Sequence, residues 1–209
     1  MIIIGLTGSV GAGKTETSKF FKRNNVPVFD SDYQVKKIYK KIRVIKKIKT
    51  EFPEAFINNV LLKEKLAKIV FKDSRKLEVL EKIIYEYLKI SRYLWIRKKF
   101  RDKNKVVVFD VPLLFEKDSV TKYDKIILVT CSEKIQKFRV LKRKGWDEKR
   151  FELTKNKQLE DKKKKKLADI IINTDRGKRY VFNKIKNILK KCLVAKTRPN
   201  NKIIYNFKL

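Results

Sequence analysis

Gly8-Ser9-Val10-Gly11-Ala12-Gly13-Lys14-Thr15 satisfies the pattern Gly-x-x-x-x-Gly-Lys-[Ser/Thr] at every fixed position. It stands directly after the apolar, β-branched run Ile2–Leu6 and before a segment that Phe20 and Phe21 close as a helix. A strand running into a glycine turn and then a helix is the setting in which this pattern holds phosphate. Glycines let the backbone curl until successive N–H groups face one anion, and the positive end of the helix adds to that field. With glycine near 7% of average sequences, chance supplies the pattern in a chain of this length with a probability below about one percent. Gly8, Gly11, Ala12 and Gly13 are therefore read as the cradle of the ATP phosphates, Lys14 as the cation reaching the β- and γ-phosphates, and Thr15 as a hydroxyl ligand of Mg²⁺. Glu16 is counted with the nucleotide-binding candidates because it borders the same site, although repulsion by phosphate favours an outward course along the helix.

Outward from this loop the chain alternates between strands and helices. Val26–Phe29 forms a second short strand running into Asp30-Ser31-Asp32, Val106–Phe109 a third ending at Asp110, Ile126–Val129 a fourth ending at Thr130, and Ile170–Ile172 a fifth ending at Asn173. From about 33 to 103 apolar residues recur three and four apart, through Leu66, Ile69, Val70, Leu77, Leu80, Ile83, Ile84, Tyr87 and Leu88, so this segment is mainly helical. Charged helical sequence fills about 133–166, and a last helix is expected over about 177–193 before a tail of about 194–209. The fold class is α/β: a parallel five-stranded sheet with helices on both faces, of the P-loop NTPase type. Ligands of such sheets bind at the carboxyl ends of the strands, where Gly8, Asp30, Asp32, Asp110, Thr130 and Asn173 all lie; Asn173 is counted with the nucleotide-binding candidates.

Composition limits the function classes. A chain of 209 residues, 43% hydrophobic, buries a core without disulfides or metal. Cys131 and Cys192 form no CxxC pair and the chain has no histidine, which rules out a zinc site of the usual Cys/His kind and fits a reducing cytoplasm. The N-terminal apolar run lacks a basic leader, and Val106–Phe115 is interrupted by Asp110 and Pro112, so no membrane span is expected. The formal net charge of +33 suggests a polyanion partner, but the lysines are scattered along the chain rather than gathered on a face, and no nucleic-acid partner is expected. The tight run Lys162–Lys166 reads as a solvated helix face or mobile loop.

A phosphate cradle serves kinases, ATPases and GTPases alike, and the second strand discriminates. Asp30 and Asp32 lie two apart, so on an extended backbone their side chains share a side. Transfer to a hydroxyl needs a carboxylate that orients it and accepts its proton. One of the pair fits that role, with Asp32 preferred, and either also suits the cap of the next helix. Asp110 stands where an acid holding Mg²⁺ through water is expected. Pro112–Phe115 reads equally as core or as a wall of an acceptor pocket. Arg139 and Arg143, four apart on a helix, face the same way and are read as clamps on phosphate oxygens or as two solvated basic residues. Gly145-Trp146 suits the hinge and anchor of a closing lid.

In order along the chain, Ile4–Lys14, Pro27–Asp32, Leu66–Phe71, Leu80–Tyr85, Phe109–Glu116 and Ala168–Thr174 resemble the motifs of the dephospho-coenzyme A kinase family, from about residue 2 to 190. The resemblance implies phosphorylation of the ribose 3′-hydroxyl of dephospho-CoA by ATP, the last step of coenzyme A synthesis, in a single domain, with a monomer expected. It implies a core of about 1–32 and 105–193, a helical acceptor-binding insertion of about 33–104 and a lid of about 140–166. It matches Asp32 to the catalytic aspartate, Lys14 and Thr15 to the nucleotide lysine and Mg²⁺ ligand, and Arg139 and Arg143 to arginines near the lid. The chain departs from the family pattern at Tyr85-Glu86, where His-Pro is usual, at Lys63, where an arginine is expected, and at Glu16, often Ser or Thr. Other readings are a small P-loop kinase of a nucleoside or nucleotide, and a basic nucleic-acid-binding ATPase.

Overall fold

A computed structural model describes residues 1–117 and 120–194. Beyond Val194, the expected tail lies outside the described residues. In chain order the first elements are β1 (Ile2–Gly8), α1 (Lys14–Arg23), β2 (Val28–Asp30), α2 (Ser31–Ile38), α3 (Ile42–Glu51), β3 (Phe56–Ile57), β4 (Val60–Leu61), α4 (Lys63–Lys72) and α5 (Ser74–Arg101). Then follow β5 (Val106–Asp110), α6 (Leu114–Lys117), β6 (Lys125–Thr130), α7 (Glu133–Leu141), α8 (Glu148–Asn156), α9 (Asp161–Leu167), β7 (Ile170–Asn173) and α10 (Gly177–Val194). The described residues divide into two compact units, one of residues 1–30 and from 96 to 194, the other of residues 31–95.

The first unit carries a five-stranded parallel sheet in the order β2-β5-β1-β6-β7. Its central strands β1, β5 and β6 are near-continuous apolar runs because both faces are covered, whereas the edge strand β7 leaves Ile171 exposed. On one face Ile4, Leu6, Val108, Ile127, Val129 and Ile172 pack against Phe20 and Phe21 of α1 and Val181 and Ile185 of α10. Complete burial of Phe21 alone is worth about 1.5–3 kcal/mol. On the other, Phe109 stacks between Phe29 and Tyr123 at centroid distances of 5.2 and 6.1 Å. A side chain at Gly5 would put its Cβ 2.7 Å from Leu114 Cδ1 and 3.0 Å from the Tyr123 ring, so the buried Leu114 of α6 would have to shift to admit one. From β1 the chain runs to the edge strand β2, returns to β5 beside β1, and then crosses to β6 and β7 on the other side, which makes the carboxyl end of β1 the switch point of the sheet.

The Ala168-Asp169 motif belongs to the opposite end. Asp169 Oδ2 accepts the Ile126 N–H at 2.7 Å and the Asp169 N–H reaches Ile126 O at 3.1 Å, tying β6 and β7 where they begin.

The second unit is mainly helical, with Val44, Ile48, Phe52, Leu66, Val70, Leu80 and Leu88 buried. It also contains the antiparallel pair β3–β4, which periodicity did not suggest. Asn58 and Asn59 take φ of 47° and 65°, the double positive turn that joins two short strands and that asparagine tolerates. Among the described residues no helix is long and apolar enough to cross a membrane.

Candidate functional site

The loop between β1 and α1 turns on two glycines with left-handed backbone, Gly11 at φ 77° and Gly13 at φ 96°. The Ala12 N–H closes onto Ser9 O at 3.0 Å, and Gly13 stands at the N-cap of α1 without a side-chain cap. The first amides of the helix are thereby left for an anion. The Lys14 ammonium meets the Asp110 carboxylate at the end of β5. Burial pushes the Asp110 pKa up, while Lys14 and a hydrogen bond from Ser18 pull it back and Asp30, its partner in the β2–β5 register, adds to the rise.

Thr15 is exposed on the first turn of α1. Glu16 lies along the helix against Lys19 at 2.9 Å, and that hydrogen bond holds its carboxyl below the usual range. Among the described residues no three acidic or sulfur side chains converge as a metal cage. The donors present are the Thr15 hydroxyl and the Asp110 carboxylate, a set that fits Mg²⁺ shared with phosphate oxygens and water.

Two expectations of local geometry are corrected. Helix α2 begins at Ser31, so the extended backbone that would project Asp30 and Asp32 to one side stops between them. Asp30 pairs in register with Asp110, and Asp32 sits exposed in the first turn of α2, where the helix dipole favours a carboxylate. Helix α7 ends at Leu141, so Arg143 lies in the turn beyond it and does not share the face of Arg139. Arg139 Nη1 donates to Thr174 Oγ1 at 2.8 Å and to Gly11 O at 3.4 Å. The Arg143 and Arg150 guanidiniums instead lie 6.0 and 4.8 Å from the Trp146 ring centroid, and Arg150 Nη1 donates to Gly145 O at 2.7 Å.

Asn173 is engaged locally, its Oδ1 accepting the Asp175 N–H at 2.9 Å to cap a single 3-10 turn. Its neighbour Thr174, not singled out from the sequence as a site residue, is the buried hub: its hydroxyl donates to Ala12 O at 2.8 Å and accepts from Arg139. Glu116 and Lys164 were also missed. Glu116 closes the Phe109–Glu116 motif, the one signal that pointed to it, whereas Lys164 was hidden in a run of five lysines. That run is not wholly solvated, because Lys164 has no solvent exposure.

The model of the dephospho-CoA kinase family matches residues 2–179 of this chain. A dephospho-CoA kinase of Bartonella quintana is 39% identical over 194 residues, covering 91% of this chain and all of the relative. One of Agrobacterium fabrum is 34% identical, covering 91% of this chain and 98% of the relative. The crystal structure of TT1252 from Thermus thermophilus superposes with a TM-score of 0.80 at 26% identity, covering 91% of this chain and 97% of that one. A phosphate loop in its proper setting, matched over nearly the whole chain by these relatives, means that the chain belongs to the dephospho-CoA kinase family.

Proposed function

We propose that this chain transfers the γ-phosphoryl group of ATP to the ribose 3′-hydroxyl of dephospho-CoA, releasing ADP and CoA, as its membership of the family implies. The observation that carries the reading is the meeting of Lys14 with Asp110 beside a loop bent by two left-handed glycines. The loop amides and Lys14 hold the phosphates. Thr15 and Asp110 are the residues to hold Mg²⁺, which when bound would offset negative charge between the β- and γ-phosphates. Asp32 orients the acceptor hydroxyl and accepts its proton as the oxygen bonds to phosphorus. Arg139 supplies cationic stabilisation to the transferring group and Arg143 a second contact with the nucleotide. Residues of about 33–104 form the acceptor-binding insertion, and those of about 140–166 a lid that excludes water and suppresses ATP hydrolysis. The protein is read as a cytoplasmic monomer acting on a small molecule.

The test is ADP release by the purified protein with MgATP and dephospho-CoA, beside adenosine, a deoxynucleoside, a nucleoside monophosphate and no acceptor. Release that requires dephospho-CoA and yields CoA is the expected result. Release with another acceptor alone, or only with added nucleic acid, would overturn the assignment.

A further inference from the structure

Of the lysines from 162 to 166, those at 162, 163, 165 and 166 are exposed on α9, whereas Lys164 is fully buried. A buried ammonium needs partners. Lys164 Nζ donates to Glu116 Oε1 at 2.9 Å and to Ser9 Oγ at 3.2 Å. Ser9 is the first loop residue after β1, and its hydroxyl in turn donates to Asp161. Asp161 Oδ2 accepts a further hydrogen bond from Gln136 Nε2 at 3.1 Å. Glu116 Oε1 also takes the Leu159 N–H at 2.9 Å, and Gln158 Oε1 takes the Val10 N–H at 3.0 Å. Residues 9 and 10, the outer arm of the phosphate loop, are thus gripped by the segment 158–164, which Glu116 anchors.

We propose that Lys164 is a positioning residue for phosphoryl transfer: paired with Glu116, it clamps Ser9 and holds the outer arm of the phosphate loop in the shape that cradles the nucleotide. The proposal rests on the function given above. Lys164 does not serve as a second phosphate cation, because its side chain is fully buried between Glu116 and Ser9. Stability alone does not call for such a pair, since apolar residues of similar volume commonly replace a buried ion pair without loss. What the pair adds is direction: a lysine donor aimed at a loop hydroxyl whose own proton is already committed to Asp161. A nest of backbone amides binds through the mutual aim of its N–H groups, so an arm free to drift weakens it.

Removing Lys164 alone would leave the Glu116 carboxylate buried without a counter-charge and held only by the Leu159 N–H, since its Oε2 has no hydrogen-bond partner among the described residues. The variant to make is therefore the pair Lys164→Met with Glu116→Gln, which removes both charges at little change of volume. In the full chain it is expected to keep a parent-like thermal midpoint, while ADP affinity by calorimetry and kcat/KM for ATP each fall by about tenfold or more. Lys164→Arg should retain most of both. Ser9→Ala alone should also weaken ADP binding, and added to the pair variant it should change little more, because the two act through one hydroxyl. A folded pair variant that binds ADP within about twofold of the parent, or independent multiplication of the two effects, overturns the clamp. Should the pair variant fail to fold, Ser9→Ala decides, and unchanged ADP affinity overturns it. A parent that binds ADP but ignores dephospho-CoA removes the assigned acceptor and leaves the clamp to be judged on ADP affinity.

Discussion

Lys14 and Asp110 are bonded to each other at the carboxyl end of β5, an ammonium from the first turn of α1 against a carboxylate only 5% exposed. Burial outweighs the lysine and lifts the Asp110 pKa above its ordinary value. The folded state therefore holds this proton more tightly than the unfolded chain, and the Asp110 contribution to stability falls as pH rises through the raised pKa. Thermal midpoints of the parent and of Asp110→Asn, measured from pH 4 upward, should show the parent losing ground to the variant across that window. A difference that is flat with pH would refute the account.

Lys14→Met should lower turnover with MgATP and dephospho-CoA by about 10²- to 10³-fold, the usual loss on removing a group aimed at developing charge. It also removes the cation that holds the Asp110 pKa down, so the pH dependence of stability should move further upward. Steady-state kinetics and the pH series on the one variant check both halves.

Asp32 is exposed in the first turn of α2 and supports no packing, which makes its role easy to isolate. Asp32→Asn should reduce kcat by about 10²- to 10⁴-fold, the range of general base catalysis. ADP affinity should stay at the parent value, and the thermal midpoint should fall only by the small helix-dipole contribution of the carboxylate, about 0.3–1 kcal/mol. Near-normal turnover in the folded variant would remove Asp32 from the mechanism.

The strands were legible in the sequence because the sheet is buried on both faces, so that Ile2–Leu6, Val106–Phe109 and Ile126–Val129 stand out as apolar runs, each within a residue or two of its observed strand. The phosphate loop was legible for a different reason: its glycines answer a local backbone demand that depends on nothing distant. Thr174, Glu116 and Lys164 were not, because what sets them apart is contact with residues distant in sequence: Thr174 and Lys164 meet phosphate-loop residues more than 100 positions away, and Glu116 meets Lys164. A lysine among lysines carries no sign of burial. The break of α7 before Arg143 was hidden in the same way, since Lys142, Arg143 and Lys144 are compatible with helix or turn.

Gly11 tests the loop directly. A Cβ there would stand 2.6 Å from Gln136 O on a backbone at φ 77°. Gly11→Ala must therefore strain the loop, at about 1–2 kcal/mol for the left-handed conformation alone, and push it off α7. A lower thermal midpoint and loss of ADP binding are expected together. A variant that binds ADP normally would show that the nest does not need this close approach.

Arg139 and Thr174 form the other tie between the phosphate loop and the carboxyl end of the sheet, because the guanidinium reaches Gly11 O and the hydroxyl it contacts reaches Ala12 O. Thr174→Val keeps the shape and removes the hydroxyl, leaving a buried carbonyl and one guanidinium hydrogen unsatisfied, at about 1–3 kcal/mol of stability. If Arg139 only braced the loop, Arg139→Ala would add little on top of Thr174→Val in kcat. If it also meets the transferring phosphoryl group, as its proposed role requires, Arg139→Ala should lower kcat by about 10²-fold or more in either background. The stability effects should meanwhile be less than additive, because one hydrogen bond is shared. The double-mutant cycle, read once in kcat and once in thermal midpoint, separates a residue that shapes the loop from one that touches the reacting group.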